Sequence, residues 1–260
     1  MAANDFFIAA SRTFGDSETG NFFARLQIEN NGKGDLDALK RDLSEAGEDL
    51  DAFWQLHSAP KRVKTLILVS KSDHCANTLL YGARRGELPI DPVGIISNHT
   101  DLETPLSHFG IPFTHIPVSK ETKQDAEQKL LRKVAESGAE LVVLARYMQI
   151  LSNETSEELY GRCINIHHSF LPSFKGARPY HQAHARGVKV IGATAHYVTP
   201  DLDEGPIITQ VTEPIDHTSS PQDMVRLGRH LEGTALLRAV KAHAEHRVFI
   251  NGTKTVVFAR

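Results

Sequence analysis

Asn165-Ile166-His167-His168-Ser169-Phe170-Leu171-Pro172-Ser173-Phe174-Lys175-Gly176 closes a short apolar run that begins at Cys163. Side chains two apart on a strand project from one face, so Asn165 and His167 stand side by side if residues 163–166 are extended. Pro172 and Gly176 then stop the strand and open a loop. An amide and an imidazole are thereby set at a strand end, where open parallel α/β sheets handle their ligands.

The segments before this stretch share its character. Residues 63–70, 93–97, 113–118, 141–145 and 163–166 are short β-rich runs, and residues 76–85, 102–109 and 121–137 between them suit helices. The alternation predicts an α/β, Rossmann-like parallel sheet with right-handed crossovers and helices on both faces. Residues 188–198 and 207–211 add strands, residues 221–243 a long helix opened by Ser220-Pro221, and residues 248–250 with 255–258 a hairpin around Asn251-Gly252. The first 60 residues differ. Residues 6–10 and 20–28 read as a hairpin, and Leu36, Leu39, Leu43 and Ala46 as a helix between Gly34-Asp35 and Gly47. Residues 52–57 read as one more strand. This β-β-α-β order gives a small α+β domain over residues 1–60, with residues 59–62 around Pro60 as a linker into a larger domain over residues 61–260.

A chain of 260 residues that is 40% hydrophobic can bury a sizeable core, and a net charge of -3 argues against nucleic acid or an anionic membrane as the main partner. Cys75 and Cys163 lie far apart and form no CxxC pair, which favours a reducing, cytoplasmic setting. No apolar span of about 20 residues and no basic-then-apolar leader is visible. A small-molecule substrate is expected.

The first strand of the larger domain runs into Ser70-Lys71-Ser72-Asp73-His74-Cys75, without the glycines of a dinucleotide or phosphate loop. Asp73 reads as a helix cap. His181-x-x-His184 lacks the glutamate of a zinc motif, and no metal is expected. The partner that Asn165 and His167 need is offered by the loop after His196-Tyr197-Val198, where Asp201, Asp203 and Glu204 lie between two apolar strands. An amide donor, an imidazole and a carboxylate are the set that carries a carbonyl through a tetrahedral intermediate: the amide binds the oxyanion, the imidazole assists proton transfer and the carboxylate orients and charges it.

Asn165-Ile166-His167 with Ser169, Leu171-Pro172-Ser173-Phe174-Lys175-Gly176, His196-Tyr197-Val198 and Asp203-x-Gly205-Pro206-Ile207-Ile208 resembles the formyltransferase family that uses 10-formyltetrahydrofolate. His168 and Phe170, with Pro179-Tyr180-His181-Gln182-Ala183, are more similar to its hydrolytic branch than to its glycinamide ribonucleotide transformylase branch. The resemblance spans residues 63–258, and the preceding residues resemble an ACT domain whose first strand and helix are missing, with Thr19-Gly20-Asn21-Phe22-Phe23 as its central hairpin. It implies Asn165, His167 and Asp203 as catalytic groups. Arg146, Met148, Gln149, Ile150 and Leu151 would line the folate pocket, and Thr199, Pro200, Asp201 and Leu202 would close over the pterin. The implied reaction is hydrolysis of 10-formyltetrahydrofolate to tetrahydrofolate and formate, with the folate as substrate and no cofactor. The strand edges at residues 6–10 and 22–28 imply a homo-oligomer, because bare edges invite pairing. The same residues leave open a formyltransferase with an amine acceptor and a non-catalytic folate or amino-acid sensor.

Overall fold

The computed structural model describes residues 5–30, 32, 34–58, 61–169 and 179–259. Residues 59 and 60 of the expected linker and the loop from Phe170 to Gly176 lie outside them. The chain divides into two compact units, Met1–Lys61 with Val256–Arg260 and Arg62–Thr255.

In the smaller unit, β1 (Phe6–Gly15) pairs antiparallel with β2 (Phe22–Asn30), with a register shift between Ile8 and Ala10. Gly20, at φ 75°, gives the connecting turn the left-handed backbone that side chains resist. α1 (Leu36–Asp49) starts at Asp35, whose carboxylate accepts the N–H groups of Asp37 at 3.0 Å and Ala38 at 2.9 Å. The helix runs through Gly47 instead of ending before it. Residues 52–58 form no strand, contrary to their apolar pattern. β1 and β2 make a two-stranded sheet, so that segment has no neighbour to ladder with, and its Phe53 is 88% exposed.

The larger unit alternates strands and helices as expected. In order, it contains β3 (Val63–Val69), α2 (His74–Arg84), β4 (Ile90–Ser97), α3 (Glu103–Leu106), β5 (Phe113–His115), α4 (Lys123–Ser137) and β6 (Leu141–Leu144). There follow α5 (Asn153–Glu158), β7 (Cys163–His167), α6 (Pro179–Arg186), β8 (Val190–Tyr197), β9 (Ile207–Pro214), α7 (Pro221–Ala244) and β10 (Val248–Asn251), and the division between the units falls within the last strand, β11 (Lys254–Val257). Seven strands form one sheet in the order β5-β4-β3-β6-β7-β8-β9. The first five are parallel, whereas β8 runs antiparallel to both of its neighbours, β7 and β9, so the sheet is mixed and not parallel throughout.

The parallel strands are buried on both faces, which is why they read as unbroken apolar runs. Ile67, Val143, Ile164 and Ile166 share one core with Leu79 of α2 and Leu236 of α7. Leu66, Leu68, Val142 and Cys163 share the other with Leu130 and Val134 of α4. Because Ile164 and Ile166 belong to the first core and Cys163 to the second, strand alternation turns Asn165 and His167 together toward the second face. The chain leaves β3 toward β4 and β5 on one side, and β6 and β7 lie on the other. The crevice of this fold therefore opens between the carboxyl ends of β3 and β6.

α7 begins with a capping box, in which the Ser220 hydroxyl accepts the Asp223 N–H and the Asp223 carboxylate accepts the Ser220 N–H. Near its other end the buried Tyr197 hydroxyl meets His243 Nδ1 at 2.7 Å. Burial, then the charge of His246, pushes His243 down to about 4. Its folded value lies below the unfolded one, so the unfolded chain takes up the proton first and stability rises with pH between the two values. Acidifying from pH 7 to 4 is expected to remove up to about 3 kcal/mol through this residue alone. Urea midpoints across that range check this, and a midpoint unchanged down to pH 4.5 would contradict it.

Candidate active site

The antiparallel register of β7 and β8 sets Asn165 opposite His196 and His167 opposite Thr194. Thr194 is fully buried and donates its hydroxyl to the Ser169 carbonyl at 3.0 Å, tying the chain just past β7 back to β8. After β8 the loop returns the third group. Asp203, at φ 60°, takes a left-handed backbone that aspartate tolerates better than most residues. Its Oδ2 lies 3.1 Å from His167 Nδ1 and its Oδ1 3.7 Å from His196 Nε2. Asp201 and Glu204 on the same loop are exposed. Gly205 permits the return, since a Cβ there would stand 1.8 Å from the Tyr197 carbonyl oxygen.

Hydrogen-bond chemistry fixes one ring nitrogen of His196. Its Nδ1 lies 2.8 Å from the Tyr197 carbonyl, which can only accept, so Nδ1 carries a hydrogen. In the neutral ring Nε2 is then an acceptor, and it takes an N–H of the Asn165 amide at 3.3 Å. One N–H of that amide is thus anchored, its carbonyl and amino ends are assigned, and the second N–H remains to be offered to a ligand. Burial acts to raise the Asp203 carboxyl, but the hydrogen bond from His167, with the charge of that ring, outweighs it and holds the group well below the usual carboxylate range. The charged, carboxylate form of Asp203 is thereby favoured.

The nearby crevice is built from two strand ends. The Ser70 hydroxyl donates to Asn98 Oδ1 at 2.6 Å and accepts the Met148 N–H at 3.0 Å, pinning the segment after β6 to the end of β3. Met148 and Ile150 are 59% and 58% exposed, Gln149 is half-buried and Leu151 belongs to the core. On the loop after β8, Thr199 is half-buried and its hydroxyl bonds the Asp201 carbonyl, whereas Pro200, Asp201 and Leu202 are exposed. Exposed apolar side chains on loops at the crevice are what a flat heterocycle requires. Arg146, at φ 66°, instead sends its side chain to buried Glu232, with Nε 3.5 Å from Oε2.

Among the described residues, the cluster with metal-ligand types at suitable spacing is His74, Cys75 and Glu232, within 4.8 Å of one another. Glu232 is already engaged there by His74 Nε2 at 2.8 Å, the Tyr180 hydroxyl at 3.1 Å and Arg146. Burial, then the Glu232 charge, pushes the Cys75 thiol up, so it stays protonated. Glu232 is the hub of a charge network in which Arg146 Nε is buried without a hydrogen bond. His181 and His184 stand exposed on α6, and Asp73, which caps no backbone group of α2, accepts from the Asn77 amide at 2.9 Å.

Three participants escaped the sequence reading. His196 was quoted for its motif but not as part of the site, although its position opposite Asn165 follows once β7 and β8 are paired. Ser70 carried no motif of its own. Glu232 lies inside the long helix α7, where a lone acid usually faces water.

A sheet whose strand ends gather an amide, two imidazoles and an ionised carboxylate defines a site for acyl transfer through a tetrahedral intermediate. Residues 63–240 match the Formyl transferase family. A formyltetrahydrofolate deformylase of Corynebacterium sp. (strain P-1) is 51% identical over 96% of this chain and 88% of its own. The crystal structure of a formyltetrahydrofolate deformylase from Burkholderia mallei superposes with a TM-score of 0.95, at 49% identity, over 99% of this chain and 92% of that one. Glycinamide ribonucleotide transformylase 1 from Symbiobacterium toebii is more distant, with a TM-score of 0.71 and 29% identity over 79% of this chain and 99% of its own. The chain belongs to the formyl transferase family and, within it, to the formyltetrahydrofolate deformylases.

Proposed function

We propose that the protein hydrolyses 10-formyltetrahydrofolate to tetrahydrofolate and formate at the site formed by Asn165, His167 and Asp203. The observation that carries this reading is the 3.1 Å pairing of Asp203 with His167 beside the anchored Asn165 amide, in a chain that belongs with the deformylases. Water attacks the formyl carbon, its new C–O bond forming as the carbonyl electron pair moves to oxygen. The second N–H of Asn165 and the imidazole of His167 stabilise that oxyanion, and Asp203 with His167 accepts the water proton. When the oxyanion collapses, the C–N10 bond breaks, N10 takes up the proton, and formic acid ionises to formate. His196 acts through Asn165, fixing which way the amide points. Met148, Gln149, Ile150 and Leu151, with backbone groups from Arg146 onward, form the folate wall, and Thr199, Pro200, Asp201 and Leu202 cover the pterin. The folate is the substrate, and the reaction as written needs no cofactor.

Purified protein supplied with 10-formyltetrahydrofolate alone is expected to release formate and tetrahydrofolate in equal amounts. The likeness to a glycinamide ribonucleotide transformylase supports a second reading, formyl transfer to an amine. Formate release that fails without an acceptor, with formyl transfer when glycinamide ribonucleotide is added, would establish that second reading.

The β-β-α order of the smaller unit supports an ACT-like domain that joins copies of the chain. Its two-stranded sheet is too small to be stable alone, and Phe7, Phe14 and Phe22 are 60%, 45% and 68% exposed. A homo-oligomer is therefore expected by light scattering at micromolar concentration, and a monomer there would count against it. No helix among the described residues is long and apolar enough to cross a membrane. The unpaired, buried Cys75 and Cys163 support a reducing cytoplasmic setting.

A further inference from the structure

Consecutive residues of a strand point to opposite faces, yet His167 and His168 lie on each other, with ring centroids 4.9 Å apart and planes 19° from parallel. The reason is local. β7 ends at His167 and the chain bends over residues 168 and 169, where the Thr194 hydroxyl holds the Ser169 carbonyl. The bend folds the second ring back over the first. His168 is half-buried, and its position places it under the charges of two ion pairs, Asp203 with His167 and Glu232 with Arg146. Burial, then the Arg146 and His167 charges, pushes His168 down to about 4, against the opposing pull of Glu232 and Asp203. Near neutral pH this favours the uncharged ring. Neither a cation, which would repel a protonated His167, nor a small side chain, which would remove the stacked face from the His167 ring, would do what this arrangement does.

We propose that His168 is a positioning residue of the hydrolytic site, a stacked ring that holds the His167 imidazole in the plane in which Nδ1 meets Asp203 and Nε2 faces the substrate. The stack has two consequences. It restricts His167 to one orientation before substrate arrives, and it presents an aromatic face to the imidazolium that forms as the oxyanion develops, an arrangement that favours the cation. Glu232 supports it from behind by pairing with Arg146, His74 and Tyr180, so that the guanidinium charge beside His168 is balanced. The inference rests on the hydrolase reading above.

The test compares His168→Ala and His168→Phe with the wild-type protein in steady-state formate release. His168→Ala is expected to lose about tenfold or more in kcat with KM within threefold, because the lost contact is to the catalytic ring and not to the folate. His168→Phe, which stacks but has no ring nitrogen, is expected to return to within about threefold of wild type, a rescue that loss of a proton-transfer group would not allow. Wild-type kcat in both variants would overturn the proposal, as would equal loss in both or a rise in KM at unchanged kcat. Thermal melts of both variants report folding, and the phenylalanine variant decides the question if the alanine variant is unstable. Formate release by the wild type without an acceptor is measured in the same series, so a failure of the hydrolase reading shows itself separately.

Discussion

The Asp203→Asn protein is expected to fold as the wild type does and to lose roughly a thousand- to ten-thousandfold in kcat/KM. Asparagine is the informative replacement because it accepts the left-handed backbone at φ 60° that Asp203 adopts, and its amide oxygen can still receive the His167 Nδ1–H. Volume, turn and hydrogen bond are retained. What disappears is the negative charge that favours an imidazolium at His167 and takes up the water proton. Kinetics and a thermal melt on one preparation check the expectation. Activity within tenfold of wild type would remove Asp203 from its assigned role.

Gly205→Ala is expected to do comparable damage by a different route. The added Cβ would sit 1.8 Å from the Tyr197 carbonyl oxygen and 2.9 Å from its carbon, both backbone atoms that cannot rotate away. Tyr197 also receives its N–H partner from this segment, the Pro206 carbonyl at 3.0 Å, and its own carbonyl accepts from His196 Nδ1. Relief of the clash therefore moves the acid-bearing loop off β8 or displaces His196, and in either case Asp203 leaves His167. A loss of at least about a hundredfold in kcat/KM with a destabilisation of about 3 kcal/mol is expected. Denaturant melts and turnover test both parts, and a variant that melts and turns over like the wild type would show that the loop is not held as described.

The parallel half of the sheet was legible in the chain because strands buried on both faces have no choice but to be continuously apolar, as Ile67, Leu68, Val142 and Val143 illustrate. The direction of β8 and β9 was not, since alternating polarity marks a strand without its sense. The short connection between them was the available signal, because only antiparallel neighbours are joined that closely. α5 escaped for a different reason: its six residues are polar, and it is held by the Ser152 cap and by Glu127, which accepts from Ser152 N at 3.0 Å and Thr155 Oγ1 at 2.8 Å. Residues 52–57 show the reverse error, a strand pattern with no edge to join.

The site was legible in part. Strand spacing alone puts Asn165 beside His167. Spacing could not choose among Asp201, Asp203 and Glu204, because the choice depends on the one left-handed residue that turns its carboxylate inward; the motif resemblance pointed to Asp203, and that is the acid that meets His167. Arg146 illustrates the opposite limit. The motif resemblance put it in the expected folate pocket, but its pairing with Glu232, 86 positions later in the chain, follows only from the packing of α7.

The central claim is that water, and no other nucleophile, attacks the formyl carbon at this site. Single-turnover reaction of 10-formyltetrahydrofolate with excess enzyme in oxygen-18 water tests it most directly. The account predicts that formate carrying one solvent oxygen appears at the same rate as tetrahydrofolate, with no acceptor present. A formyl group that remains on the folate in water and moves only to an added amine would contradict it.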